Sequence, residues 1–380
     1  MSTIGDRAEA ERLLSAHAVR DAANDMFRLA EANRLPQWGL DLSRMAAAAD
    51  LTAETVRANY PDLKVPFHAR WRHFSAGGHD LWSEAEKPSD PVELGRAAFN
   101  LVIPSVLLDA GAGPGWSYRD ATGAELSRSE GLGVASFRMW QSGALDDLSA
   151  VNAASVAEAF QVSNDNPLVG VEGRAALLRR VGQAVGEPAR LFDIMAGRAR
   201  RGFLAAPAIL EVLLQELGPI WPGRFQLGGM PLGDCWPHPV RGHGLVPLHK
   251  LSQWMSYSLI EPLQWAGIEV IDIDGLTGLA EYRNGGLFID TGVLLLRDPV
   301  DERIGHPVDS PVVVGWRSLT VALLDRLAPM VRERLGVSAR DFALARVLEG
   351  GTWAAGRRIA KSLRADGGPP LTVISDGTVF

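Results

Sequence analysis

Along most of the chain, apolar and polar positions alternate with the period of an α-helix rather than of a strand. Residues 5–33, rich in Ala, Leu, Arg and Glu, predict one or two amphipathic helices, and residues 39–58 continue in the same style. The pattern breaks at "YPDLKVPFHARWRHFSAGGHDLW", where Pro61, Pro66, Gly77 and Gly78 interrupt an aromatic stretch. Helical periodicity returns near 92–108, 147–160, 171–186, 204–217, 247–266, 286–297, 310–335 and 339–364. Ser338 followed by Asp341 predicts a capping box that opens the last of these. Strand signals are few. One is "IEVIDID" at 268–274. The other is the terminal "LTVISDGTVF", whose Asp-Gly between apolar flanks predicts a hairpin. The pattern predicts a mainly α, multi-helical fold with a few short strands and a C-terminal hairpin, not alternating βαβ units.

Composition narrows the function classes. With 380 residues, 47% hydrophobic and 22% charged, the chain can bury a large core. The net charge is −7 and the one basic cluster, Arg198, Arg200 and Arg201, is short, so no nucleic acid or anionic membrane is expected as partner. Cys235 is the only cysteine, which rules out an internal disulfide and fits a reducing compartment. The charged N-terminal stretch does not read as a signal peptide, and apolar runs stop short of the roughly 20 residues of a membrane span. A soluble, cytoplasmic protein is expected.

Residues 105–118, "SVLLDAGAGPGWSY", place Gly111, Gly113 and Gly115 after an apolar run and Asp109. A nucleotide cofactor loop needs a strand before its glycines and a helix after them. Here the preceding segment has helical period, and the following one reads as extended with a turn at Thr122-Gly123. No Lys-Ser/Thr pair follows for a P-loop. Two readings fit better: a plain tight turn, or a turn that brings backbone and Asp109 close to a small ligand.

The densest candidate chemistry lies at 245–298. In the helix expected from Pro247, Lys250, Trp254, Tyr257 and Glu261 share one face, beside a core stripe of Leu248, Leu251, Met255 and Leu259. The polar face can be solvated surface or pocket wall. Next, "GLAEYRNGG" puts Glu281 and Arg283 in a loop, with Asn284 as N-cap of a helix from Gly285. Glu281 would then face a helix N-terminus, which favours its carboxylate form and suits it to stabilise a developing cation or orient water. The bland alternative is a surface ion pair with Arg283. Two other clusters stand out. Cys235, His238, His243 and His249 could ligate zinc, but their spacing matches no standard pattern, so no metal is expected. In "FHARWRHF", His68, Arg70, Arg72 and His73 suit an oxyanion such as phosphate. On an extended strand Arg70 and Arg72 would point the same way. No lipase-type, cysteine-nucleophile or kinase signature is present.

"VPFHARWRHFSAGG", "LLDAGAGPGWSY", "SRSEGLGVASF" and "GLTGLAEYRNGGLFIDTGVL" resemble, over essentially the whole chain, the uracil catabolism protein four family of the ring-opening route of uracil degradation. More distantly, roughly residues 95–380 resemble the queuosine salvage N-glycosidases. Lys250 with Gln253, and Ala280-Glu281-Tyr282-Arg283, match that family's motifs, with Glu in place of its Asp. Trp353 falls where those enzymes carry a tryptophan. They have proline where Gly285 stands, which would suit a first helical position.

The resemblance implies a helical, DNA-glycosylase-like domain at 91–380; residues 1–90, which have no counterpart in those enzymes, are expected to form a helical segment packed on it. It implies an N-glycosidase that needs no cofactor and cleaves ribosylurea or its monophosphate to urea and ribose or its phosphate. Glu281 and Lys250 would be catalytic. Asp109, Trp116, Gln253, Trp254, Tyr282, Arg283 and Trp353 would bind the substrate, and Arg70, Arg72 and His73 a phosphate. The partner expected is a small ribosylated molecule. The alternatives are an S-adenosylmethionine-dependent transferase using 107–115, or a non-catalytic ligand-binding protein of the same route.

Overall fold

Helices start here where a short polar side chain can take up free backbone N–H groups. In the computed structural model, which describes residues 4–113, 115–221, 225–241, 244–298 and 304–374, Ser15 caps helix Ala16–Glu31 and Ser310 caps Pro311–Leu335. Asp90 caps Pro91–Leu107, with Pro91 at the first helical position. Helix accounts for 58% of the described residues. Every described strand is two or three residues long, and each sheet has two strands. The fold is mainly α.

The described residues form two units woven from separate stretches. One takes 4–68, 225–253 and 273–374; the other takes 69–221 and 254–272. Residues 1–90 are thus divided between them.

In the first unit the long helix Pro311–Leu335 is the core. Every position from Val312 to Leu324 is buried, and one stripe, Leu327, Val331 and Leu335, continues to its end. It packs against Ala16–Glu31, Met45–Asn59 and Tyr282–Asp290. Residues 39–58 do not begin as helix: Trp38–Leu40 is a strand paired antiparallel with Leu294–Leu296, and the helix starts only at Met45. Ser338 and Asp341 do bond as a capping pair, yet the helix opens later, at Leu344. It then widens into a π-helical stretch, Val347–Thr352, before Trp353–Leu363. Of the expected C-terminal hairpin, the first arm Thr372–Ile374 is a strand, but it pairs in parallel with Gly305–Pro307. The Asp-Gly turn and second arm lie outside the described residues.

In the second unit Pro91–Leu107 packs against Arg128–Gln141, Val171–Val185 and Ala189–Arg198. The strand signal at 268–274 holds: Glu269–Ile271 pairs in parallel with Phe203–Ala205. The aromatic stretch that interrupts the helical pattern becomes a core of its own. Trp71 touches Phe74, Trp82 and Trp265, and Trp82 stacks on Trp265 with centroids 5.6 Å apart. Among the described residues no helix is long and apolar enough to cross a membrane.

Candidate active site

The two residues expected to do chemistry, Lys250 and Glu281, lie in the first unit, and one buried ion pair connects their backbones. Arg317, 1% exposed, donates to both oxygens of Asp234, at 2.8 and 2.7 Å. The same carboxylate accepts from the indole N–H of Trp236 (2.7 Å) and the backbone N–H of Lys250 (3.0 Å). Arg317 also donates through Nε to the carbonyl of Ala280 at 3.1 Å, one residue before Glu281. Burial by itself would push the Asp234 carboxyl up, but Arg317 and the N–H donors hold it well below the usual carboxylate range. Helix Lys250–Trp265 therefore begins at a fixed point relative to the 280–281 turn. His249, just before it, adopts φ +47°, a left-handed conformation that lets the chain turn into the helix.

Glu281 is itself the N-cap of helix Tyr282–Asp290, which starts three residues earlier than expected. Its oxygens accept from the backbone N–H groups of Arg283 (2.9 Å) and Asn284 (2.6 Å), and it is 7% exposed. Asn284 is not the cap but the third helical residue. Its amide donates to the Leu279 carbonyl at 3.3 Å and accepts from Thr352 at 2.8 Å. Gly285 is the fourth helical residue, and its N–H bonds the Glu281 carbonyl, so a proline there would forfeit a bond rather than fit a first turn. Arg283 makes no surface pair with Glu281: its guanidinium donates to the Gly367 carbonyl (2.8 Å) and lies over the Tyr282 ring.

Behind this turn, helix Trp353–Leu363 comes so close that a Cβ at Gly356 would sit 2.2 Å from the Arg283 carbonyl oxygen. Gln253 is fully buried and exchanges two hydrogen bonds with Thr277, which ties the first turn of the Lys250 helix to the loop leading to Glu281. Trp353 is half-buried, beside His68 and Arg357. Lys250, Gln253, Glu281, Tyr282, Arg283 and Trp353 all belong to the first unit.

Asp109, Trp116, Trp254, Arg70, Arg72 and His73 belong to the second. The expected strand through the arginines is instead a 3-10 turn, Arg70–His73, which sends alternate side chains different ways. Arg70 is fully buried and bonded to Asp109, Ser105 and the Ser129 carbonyl. Arg72 forks onto Glu261. Asp109 is committed to Arg70 and Ser129. Trp116 is buried, with its N–H on the Phe160 carbonyl. Trp254 is also buried, with the His73 ring edge-on to it and the Arg70 guanidinium above it.

The glycine loop follows a helix, not a strand, and is followed by the hairpin Tyr118–Arg119 with Glu125–Leu126. Arg174 gathers the carbonyls of Leu108, Ala110 and Gly111 beneath it, and burial brings its pKa to about 10. The loop is a pinned turn without the strand–loop–helix frame a methyl donor requires.

The cysteine–histidine cluster is dispersed. His238 bonds the Pro311 carbonyl and His249 the Leu13 carbonyl, Cys235 is buried in a strand, and His243 lies outside the described residues. Among the described residues no three such groups could share a metal. A polar cavity of about 370 Å³ opens elsewhere in the first unit, lined by Arg12, Asp21, Asp25, Arg28 and Arg241 among others. None of the expected site residues lines it.

Residues 12–380 match the family model described as "Protein of unknown function (DUF1688)". The chain belongs to that family. Two relatives align over nearly their whole length. Protein urg3 of Schizosaccharomyces pombe is 38% identical, covering 97% of this chain and 98% of the relative. Uracil catabolism protein 4 of Lachancea kluyveri is 34% identical, covering 96% and 98%. Within this DUF1688 chain, sequence reasoning missed Asp234, Arg317, Thr352 and Glu349. Asp234 and Arg317 lie 83 positions apart, so no local spacing could have paired them.

Proposed function

We propose that the protein is an N-glycosidase of uracil catabolism that hydrolyses ribosylurea or its monophosphate to urea and ribose or its phosphate. The relatives' names support the route. The resemblance of Lys250, Gln253 and the Ala280–Arg283 motif to the salvage glycosidases supports the bond. The observation that carries the reading is the setting of Glu281. It is a sheltered carboxylate, oriented by two backbone N–H groups, in a turn whose position the Asp234–Arg317 pair ties to the start of the Lys250 helix.

Cleaving an N-glycoside builds positive charge on the sugar ring. A carboxylate already in place needs no reorganisation to meet that charge, and groups of this kind contribute about 10²–10³ in rate. Glu281 takes that role. Lys250 contacts a ribose hydroxyl or the departing urea. Tyr282, Arg283 and Trp353 wall the sugar and exclude water.

The test is urea release from synthetic ribosylurea and from its 5-phosphate. Both are needed, because Arg70 and Arg72, the expected phosphate contacts, already carry carboxylate partners. Glu281→Gln keeps one acceptor for the helix cap and should lower kcat about 10²–10³-fold with little change in KM. Equal rates for wild type and Glu281→Gln would refute the assignment. Binding without turnover by wild type would instead favour a ligand-binding protein.

A further inference from the structure

The last helix of the first unit is interrupted by one π-helical stretch, Val347–Thr352. Such stretches are rare inside α-helices and are frequent at functional sites. This one carries Glu349. Glu349 Oε2 lies 2.6 Å from Nδ1 of His68, with side-chain exposures of 16% and 9%: sheltered, yet not sealed. Two glycines make room for the widened turn. A Cβ at Gly350 would sit 2.9 Å from Val65, and one at Gly351 2.7 Å from Thr52.

The His68 backbone is pinned as well, its N–H bonded to the Ala345 carbonyl at 3.0 Å. The half-buried Trp353 ring lies 6.2 Å from the imidazole, centroid to centroid. The stretch ends at Thr352, which bonds Asn284, the residue whose backbone N–H holds Glu281. The pair and the Glu281 cap thus share one hydrogen-bonded frame.

We infer that His68, oriented by Glu349, is the general base that activates the attacking water. The inference rests on the glycosidase reading above. A carboxylate on Nδ1 selects the tautomer with its proton there, which makes Nε2 the basic nitrogen, and it stabilises the imidazolium formed when Nε2 takes a proton. The water oxygen bonds to the anomeric carbon while its proton passes to Nε2. The carbon–nitrogen bond breaks with its electron pair going to the urea nitrogen, which takes a proton from solvent water. The imidazolium then returns its proton to solvent. Glu281 meets the charge on the ring, and His68 supplies the nucleophile. Glu349 is a positioning residue, because it acts through His68.

The experiment compares full-length wild type, His68→Ala, His68→Gln, Glu349→Gln and Glu281→Gln on ribosylurea, with melting temperatures alongside. His68→Ala and His68→Gln should lower kcat about 10²–10⁴-fold with KM within a few-fold. Imidazole added to the medium should restore part of the His68→Ala rate, which a purely structural role would not allow. Glu349→Gln should lower kcat by a smaller factor at unchanged KM. If the His68 variants keep wild-type kcat while Glu281→Gln loses it, the base role is wrong and the glycosidase reading stands. The base role also fails if both His68 variants lose activity only in step with their folded fraction, without rescue by imidazole. If wild type releases no urea from either substrate, the glycosidase reading itself is overturned, and the base role with it.

Discussion

Replacing Asp234 by Asn removes one charge and almost no volume, which isolates the electrostatics of the pair beneath the candidate site. Arg317 is 1% exposed and presents two N–H groups to the two Asp234 oxygens at 2.8 and 2.7 Å. Asn has one acceptor oxygen, so one guanidinium donor is left facing an amide N–H. A charged hydrogen bond contributes about 1.5–3 kcal/mol, and breaking a buried pair by removing one partner costs about 3–5 kcal/mol. For a chain of this size that corresponds to a fall in Tm of roughly 4–6 °C.

The pH dependence checks the same idea. Asp234 is held below its ordinary range, so its contribution is complete above about pH 4 and is lost as pH falls from there toward the folded value. Wild type should therefore lose stability faster than Asp234→Asn over that acid range. The double variant Asp234→Leu, Arg317→Met should lose less than the two single changes summed, because it leaves no unpaired buried charge. Thermal and urea unfolding measure wild type, Asp234→Asn, the two single variants of the cycle and the double variant. A single-variant Tm within about a degree of wild type, or strict additivity in the cycle, would refute the claim that this pair organises the turn.

Other changes test separate parts of the structure. Gly356→Ala drives a Cβ to 2.2 Å from the Arg283 carbonyl and should cost about 1–3 kcal/mol or more. Gly173→Ala, with open space around it in helix Val171–Val185, should stabilise by about 0.4–1 kcal/mol in the same urea titration. Burial holds the His249 and His238 imidazoles below their usual range. Stability should therefore fall as pH drops below about 6.5. His249→Asn, which tolerates the left-handed φ of that position, should flatten the slope. Arg174→Met strips the 108–111 carbonyls of their shared donor and should cost about 2 kcal/mol or more. Faster amide exchange at the N–H of Val169, which bonds the Ala112 carbonyl, would report the loosened loop.

How legible an element was in sequence followed from how local its cause is. Pro311–Leu335 and Pro91–Leu107 announce themselves through apolar spacing and a capping Ser or Asp. Helix Arg128–Gln141 does not, because Gly131 and Gly133 depress its propensity. They are needed because a Cβ at Gly133 would meet the His73 carbonyl oxygen at 2.4 Å, a contact with residues far away in sequence. Arg70–His73 reads as a strand only if the fully buried guanidinium of Arg70 is ignored. Asn284 looks like a cap because Asn is a good one, yet the helix starts three residues earlier, where Glu281 accepts from the N–H groups of Arg283 and Asn284.

From the linear pattern alone, the helical class, most helix positions, the Glu269–Ile271 strand and a loop running into a helix near 281–286 could all be read. They depend on periodicity, caps and residue types within a few positions of one another. The partnerships came only with tertiary structure. Asp234 with Arg317, His68 with Glu349, Thr352 with Asn284 and Arg174 with its carbonyls join residues tens to hundreds of positions apart. A buried charge or amide takes whatever complementary group packing delivers within about 3 Å, and no spacing along a chain encodes that distance.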